Sequence, residues 1–180
     1  MEALKCIETR RSVRKFKDEA LDHEVLEAVV KEASFAPSWK NSQVVRYVVV
    51  ENQEIKSKIA NDAVLGFTYN TGTIEKAAAL VVVTMIHGRS GFEKDGSYTT
   101  SKEDRWEMFD AGIATQTFCL AAHEKGIGSV KTPQDSGIGN SISITVRIEF
   151  LYAYVNAYFA AVISLEDAGD EQWQTVLVAH

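Results

Sequence analysis

Cysteine is scarce in this chain: Cys6 and Cys119 are its only two thiols among 180 residues. Two thiols cannot build a disulfide framework, and their spacing matches no metal-ligand pattern. Both fall at apolar helical positions, where a buried thiol behaves as a small hydrophobe. His23, His87, His123 and His180 are scattered along the chain, so no zinc site is expected. Positive charge is also short. The formal charge of −6 at pH 7 argues against nucleic acid or an anionic membrane as a partner. No G-x-G-x-x-G and no P-loop occurs, so nothing points to a permanently held dinucleotide. The longest apolar run, Phe150 to Leu165, is broken by Asn156 and Ser164. It falls short of the ~20 residues a membrane helix needs, and no membrane span is expected. The first residues carry no charged-then-apolar leader, which makes the cytoplasm the expected compartment. Repeats and low-complexity linkers are absent as well.

What is present is an apolar content of 46%, enough at this length for one good core and a single domain over residues 1–180. Glu2 to Thr9 reads as a short helix with Leu4, Cys6 and Ile7 inward. Asp22 is placed to cap a second helix, in which Val25, Leu26, Val29, Val30 and Ala33 recur at helical spacing. Pro37 closes that helical region, because the residue before a proline is pushed out of it. Val44 to Val50 is rich in β-branched residues and reads as a buried strand, followed by a helix over Gln53 to Leu65. Ala78 to Ile86 reads as a second buried strand. Phe67, Tyr69 and Asn70, just before it, fit core packing better than a ligand pocket.

Gly88 to Thr100 reads as an excursion or lid. Ser101 and Asp104 have the spacing of a capping box, and Glu103, Asp104 and Glu107 suit a solvated helix start. Trp106, Phe109, Ile113, Thr117 and Leu120 mark one face of a long helix that Gly126 stops. Ala111, Gly112, Ala114, Ala121 and Ala122 give that helix small positions for close approach of another. Ile127 to Val130 reads as the start of a further strand. Helices and strands mixed without strict alternation favour an α+β layered fold.

Two polar segments carry the chemistry. Thr9-Arg10-Arg11-Ser12-Val13-Arg14-Lys15-Phe16 crowds guanidinium groups and a hydroxyl into one turn. Guanidinium forks match phosphate oxygens two bonds at a time and stay charged at any working pH. Alone, such a run reads first as a solvated basic turn. The second segment is Ala36-Pro37-Ser38-Trp39-Lys40-Asn41-Ser42-Gln43. The R-R-S-x-R and A-P-S-x-x-N-x-Q elements, in this order and about 25 residues apart, together resemble the FMN-dependent nitroreductase family. The resemblance runs from residue 1 to about 130.

That resemblance implies a central, mostly antiparallel sheet flanked by helices in an intertwined homodimer, with the long alanine-rich helix at its centre. It implies FMN as cofactor and NAD(P)H as a transient co-substrate that delivers hydride to the flavin and leaves. A nitroaromatic, quinone or similar small-molecule acceptor then takes the electrons. Carried over residue by residue, Arg10, Ser12 and Arg14 are ligands to the FMN phosphate, ribityl chain and ring edge. Arg11 belongs to the same group, or else points to solvent or to a visiting nicotinamide. Pro37, Ser38, Trp39 and Asn41 match the loop that the partner subunit sets against the flavin, and Gln43 matches a polar side chain of the same segment. Amide side chains offer donor and acceptor together, as a pyrimidine edge requires. No dedicated catalytic acid or base is expected, since the flavin carries the redox chemistry. Trp106 and Phe109 are further candidates for the substrate side.

Residues 131–180 depart from the family's pattern. Lys131-Thr132-Pro133-Gln134 follows where a glycine-containing loop and a basic terminal segment are expected, and Arg147 is the only Arg or Lys beyond Lys131. A second functional expectation is therefore a flavin-binding or vestigial relative with little turnover. A third is an acidic interaction module whose arginines contact a phosphorylated partner.

Overall fold

The computed structural model describes residues 2–62 and 68–131, together with the backbone of 176–179. Five helices and three strands are described: α1 (Ala3–Thr9), α2 (His23–Ala33), β1 (Val45–Val50), α3 (Gln53–Asp62), α4 (Thr68–Lys76), β2 (Leu80–Met85), α5 (Arg105–Glu124) and β3 (Val176–Ala179). The described strands lie in the order β2–β1–β3. β1 pairs antiparallel with β2, from Val45 opposite Met85 to Val50 opposite Leu80. It pairs in parallel with β3, from Tyr47 opposite Val176 to Val50 opposite Ala179.

Side chains on a strand alternate between faces, and here both faces are apolar because both are covered. Val48, Val50, Leu80 and Val82 face one side, where Ala60 and Ile74 from α3 and α4 pack with them. Tyr47, Val49, Val81 and Val83 face the other, against Leu26, Val30 and Ala33 of α2 and Ala114 of α5. The result is a helix–sheet–helix sandwich, and it explains the almost unbroken apolar run of β1. Tyr47 reaches through this core to donate to the Ala114 carbonyl at 3.2 Å, with its ring stacked on Phe118. Burial pushes its hydroxyl pKa well up.

Helix ends follow the sequence where a local rule governs them. Asp22 caps α2 by accepting from the Glu24 amide at 3.0 Å, an interaction worth about 1 kcal/mol. The helix ends at Ala33, ahead of Pro37. Gly126, at φ +79°, closes α5. The Ile127 amide bonds to the Ala122 carbonyl and the Gly126 amide to that of His123, the paired bonds of a Schellman stop.

Several expectations change. Cys6 is buried, but Leu4 and Ile7 are 74% and 59% exposed; among the described residues α1 turns its Cys6 side to α5. The Ser101/Asp104 capping box does not form. α5 begins at Arg105, and Asp104 makes no side-chain cap bond. In the turn ahead of it, Thr100 accepts from the Lys102 amide and the Trp106 indole. Ile127 to Val130 forms no strand: one isolated bridge joins Ser12 and Ser129. Of the expected third helix, Gln53–Asp62 forms α3 and residues 63–65 lie outside the described residues, while α4 appears where no helix was expected. In α4, Asn70 is buried and Tyr69 is exposed. Phe67 lies outside the described residues, as does the expected apolar segment of residues 150–165.

The second helix also carries a pH-sensitive contact. His23 bonds to Glu51 at 2.6 Å and lies 3.4 Å from Glu27. Its pKa is raised, chiefly by the hydrogen bond to Glu51. The stabilisation is therefore complete below the unfolded imidazole value of about 6.5 and is lost as pH rises through the higher folded value. A His23→Gln variant should be less stable than wild type in urea at pH 5.5, with the gap narrowing by pH 9. An equal gap at both pH values would contradict this.

Candidate functional site

Helix α5 organises both polar segments. At its C-terminal end, the Cys6 thiol donates to the Leu120 carbonyl at 3.4 Å, and the Thr9 hydroxyl lies 2.9 Å from His123 Nε2. The strap after α1 then runs beside residues 128–129, with the Val13 amide donating to the Ser129 carbonyl at 3.0 Å. A Cβ on Gly128 would lie 3.0 Å from the Val13 side chain, so the strap's close approach explains glycine at 128. Arg11 folds its guanidinium back onto the Glu8 and Arg10 carbonyls, at 2.7 and 2.8 Å. The guanidinium groups of Arg10 and Arg14 make no hydrogen bond or ion pair among the described residues. Arg10 is half-buried, and Ser12 and Arg14 are exposed.

The 36–43 segment sits at the other end of α5. Trp39 to Asn41 form a short 3-10 turn. Lys40, Asn41 and Gln43 have φ of 44°, 55° and 46°. Asparagine tolerates this left-handed region, but for lysine and glutamine it costs about 1–2 kcal/mol each. Hydrogen bonds hold the strain. The Trp39 amide donates to both carboxylate oxygens of Asp110, at 3.0 and 3.1 Å. The Ser42 hydroxyl approaches the same carboxylate at 3.5 Å, and the Ser38 hydroxyl accepts from the Gln43 amide at 2.8 Å. Arg46 donates to the Gln43 carbonyl at 2.7 Å. Burial, and then the charge of Arg89, lowers the pKa of Arg46. Pro37, Asn41 and Gln43 are exposed, and Ser38 and Trp39 half-buried.

The excursion between β2 and α5 is anchored to the same helix. Glu107, expected on a solvated helix start, is buried. It accepts from the Gly88 amide at 2.7 Å and lies 3.0 Å from His87 Nδ1. Ser90 donates to Asp110 at 2.6 Å. Lys40 bridges to Glu93 at 3.0 Å, its ammonium 4.3 Å from the Trp39 ring centre. Trp106 is half-buried with its ring edge against an exposed Phe109. Sequence reasoning missed Asp110, Glu107 and Ser90. The one available signal was an acidic residue amid the small side chains of Ala111, Gly112 and Ala114.

The structure therefore brings Arg10, Arg11, Ser12 and Arg14 together at one end of α5, and Pro37, Ser38, Trp39, Asn41 and Gln43 at the other. It does not join the two groups within one chain. Their anchors, Asp110 and His123, are thirteen residues apart on one helix, about 20 Å along its axis.

A layered α+β fold with a polar segment seated at each end of one long helix defines the class. A model of the nitroreductase family matches residues 7–133, and the chain belongs to that family. It is 33% identical over 129 residues to an Archaeoglobus fulgidus protein named for NADH dehydrogenase/NAD(P)H nitroreductase, covering 72% of this chain. It spans 66% of that relative's length, just under two thirds. Among solved structures, it resembles a nitroreductase family protein of Clostridium novyi NT at 28% identity and a TM-score of 0.57, over 70% of this chain and 66% of the other. An iodotyrosine deiodinase bound to FMN and 3-iodo-L-tyrosine shares the fold at 24% identity, with a TM-score of 0.57 over 73% of this chain and 75% of that one.

The excursion folds tightly on itself where it leads into α5. Gly91 has φ +88°, and a Cβ there would stand 2.2 Å from the Glu103 carbonyl oxygen. Gly91→Ala should loosen the excursion at a cost of about 1–3 kcal/mol. Limited proteolysis should then cut between residues 92 and 104 faster than in wild type. Unchanged protection would show that the excursion is not folded this way.

Proposed function

We propose that this chain is an FMN-dependent NAD(P)H oxidoreductase that works as a homodimer and passes electrons to a nitroaromatic, quinone or similar small acceptor. The observation that carries the reading is the placement of two complementary polar segments at opposite ends of α5. The donor set fits FMN. Arg10 and Arg14 offer charged forks without an acceptor among the described residues, suited to a phosphate, with Ser12 between them. Asn41 and Gln43 present amides on a strained, held turn, suited to a pyrimidine edge. Trp39 adds a flat apolar surface, with Pro37 and Ser38 framing the turn.

With about 20 Å between the segments, a second copy crossing α5 would bring the turn of one protomer to the strap of the other. Large exposed apolar side chains support such a contact: Leu4 and Ile7 on α1, Phe35 after α2, and Phe109 on α5. When bound, FMN supplies the two-electron redox chemistry between NAD(P)H and the acceptor. The protein's own residues bind it, orient it and shape the acceptor's access, and none is assigned an acid or base role. The FMN named with the deiodinase structure and the NAD(P)H in the Archaeoglobus protein's name both agree with this reading.

A flavin-holding protein with little turnover is the second reading, motivated by Arg147 as the sole Arg or Lys beyond Lys131. Oxidation of NADH or NADPH by the FMN-loaded protein separates the two. The flavin assignment itself is tested by titrating apo-protein with FMN. Arg10→Ala should weaken binding by about 2–4 kcal/mol, because it strands a phosphate beside an empty fork. Arg11→Ala should cost clearly less, since that guanidinium already serves backbone carbonyls. Equal losses would overturn the assignment of phosphate ligands, and no FMN uptake by wild type would overturn the function.

A further inference from the structure

Resting on the flavin reading above, we infer that Asp110 is a positioning residue. Its carboxylate holds the Trp39–Gln43 turn in the conformation that presents Asn41 and Gln43, and ties that turn to the excursion over residues 87–104. Asp110 is 1% exposed. Burying a carboxylate costs several kcal/mol unless donors compensate it. Here the side-chain and loop donors come from outside α5: the Trp39 amide, the Ser42 hydroxyl and the Ser90 hydroxyl.

Neither capping nor packing accounts for this arrangement. α5 begins at Arg105, so Asp110 lies beyond the first turn, where free helix amides need acceptors. An apolar residue would fill the same space without the desolvation cost. What the carboxylate gains is loop geometry. It fixes the first residue of a turn in which Lys40, Asn41 and Gln43 are all left-handed. Such strain persists only where surrounding contacts over-determine it. Asp110 is bonded to both loops at once, and the Lys40–Glu93 pair joins the same two loops nearer solvent. The turn that faces the flavin and the excursion therefore share one buried anchor.

The test combines amide hydrogen exchange with FMN titration. In wild-type apo-protein the Trp39 amide should be as protected as core amides of α5. Exchange as fast as exposed loop amides overturns the inference, and needs no variant that must fold. Asp110→Asn should raise the FMN dissociation constant about 10- to 100-fold and speed Trp39 exchange. Ser90→Ala, which removes only the excursion's bond, should weaken FMN about three- to tenfold. An Asp110→Asn protein with wild-type FMN affinity and wild-type Trp39 exchange overturns the positioning role. Unchanged affinity in Ser90→Ala overturns the tie to the excursion. A wild type that takes up no FMN, yet protects Trp39, would instead overturn the flavin reading and leave the clasp in place.

Discussion

Helix α5 has to satisfy three neighbours at once, and the rest of the structure depends on how it does so. Ala111, Ala114, Cys119 and Ala122 are buried, small enough for the sheet and α2 to approach closely. Glu107 and Asp110, one turn apart near its start, are buried too, and bind loops rather than helices. At its far end, Leu120 and His123 receive α1 and the strap. One rigid element thereby sets the distance between the two polar segments. The proposed site shared between two copies rests on that distance.

The strained turn and the buried carboxylate offset one another. Left-handed lysine and glutamine are unfavourable, and so is a desolvated carboxylate. Each becomes tolerable because the other is present: the turn brings an amide and a hydroxyl to Asp110, and Asp110 keeps the turn from relaxing. This is a local conflict of the kind that functional sites retain. It places rigidity under the side chains that the flavin reading requires.

Much of this was legible in the sequence, for identifiable reasons. Asp22, Gly126 and the β-branched runs act through short-range rules, and those elements form close to where the rules put them. The segments at 10–14 and 36–43 stood out by residue type, Arg forks in one and amide side chains in the other, and their roles toward a flavin belong to the proposed function. What was not legible depends on tertiary partners. The sequence of α4, Thr-Tyr-Asn-Thr-Gly-Thr-Ile-Glu-Lys, has a glycine and three threonines, all weak helix formers. It is held by α3, whose Lys56 bonds to the Ala77 carbonyl and whose Ala60 carbonyl accepts from Thr71. Glu107 read as an ordinary acidic residue of a helix start and Asp110 drew no reading, since the loops that bury them lie far earlier in the chain, as Gly88 does from Glu107 and Trp39 from Asp110. Leu4 and Ile7 read as core by pattern, yet face outward in the single chain.

The most direct test of the shared site mixes two defective copies. Arg10→Ala and Asn41→Ala homodimers should each bind FMN poorly. If the strap of one protomer and the turn of its partner form each site, a heterodimer with one substitution per chain contains one doubly altered site and one intact site. Co-expressed, separately tagged heterodimers should then bind one FMN per dimer with wild-type affinity. Heterodimers that bind FMN as poorly as both parents would contradict the account.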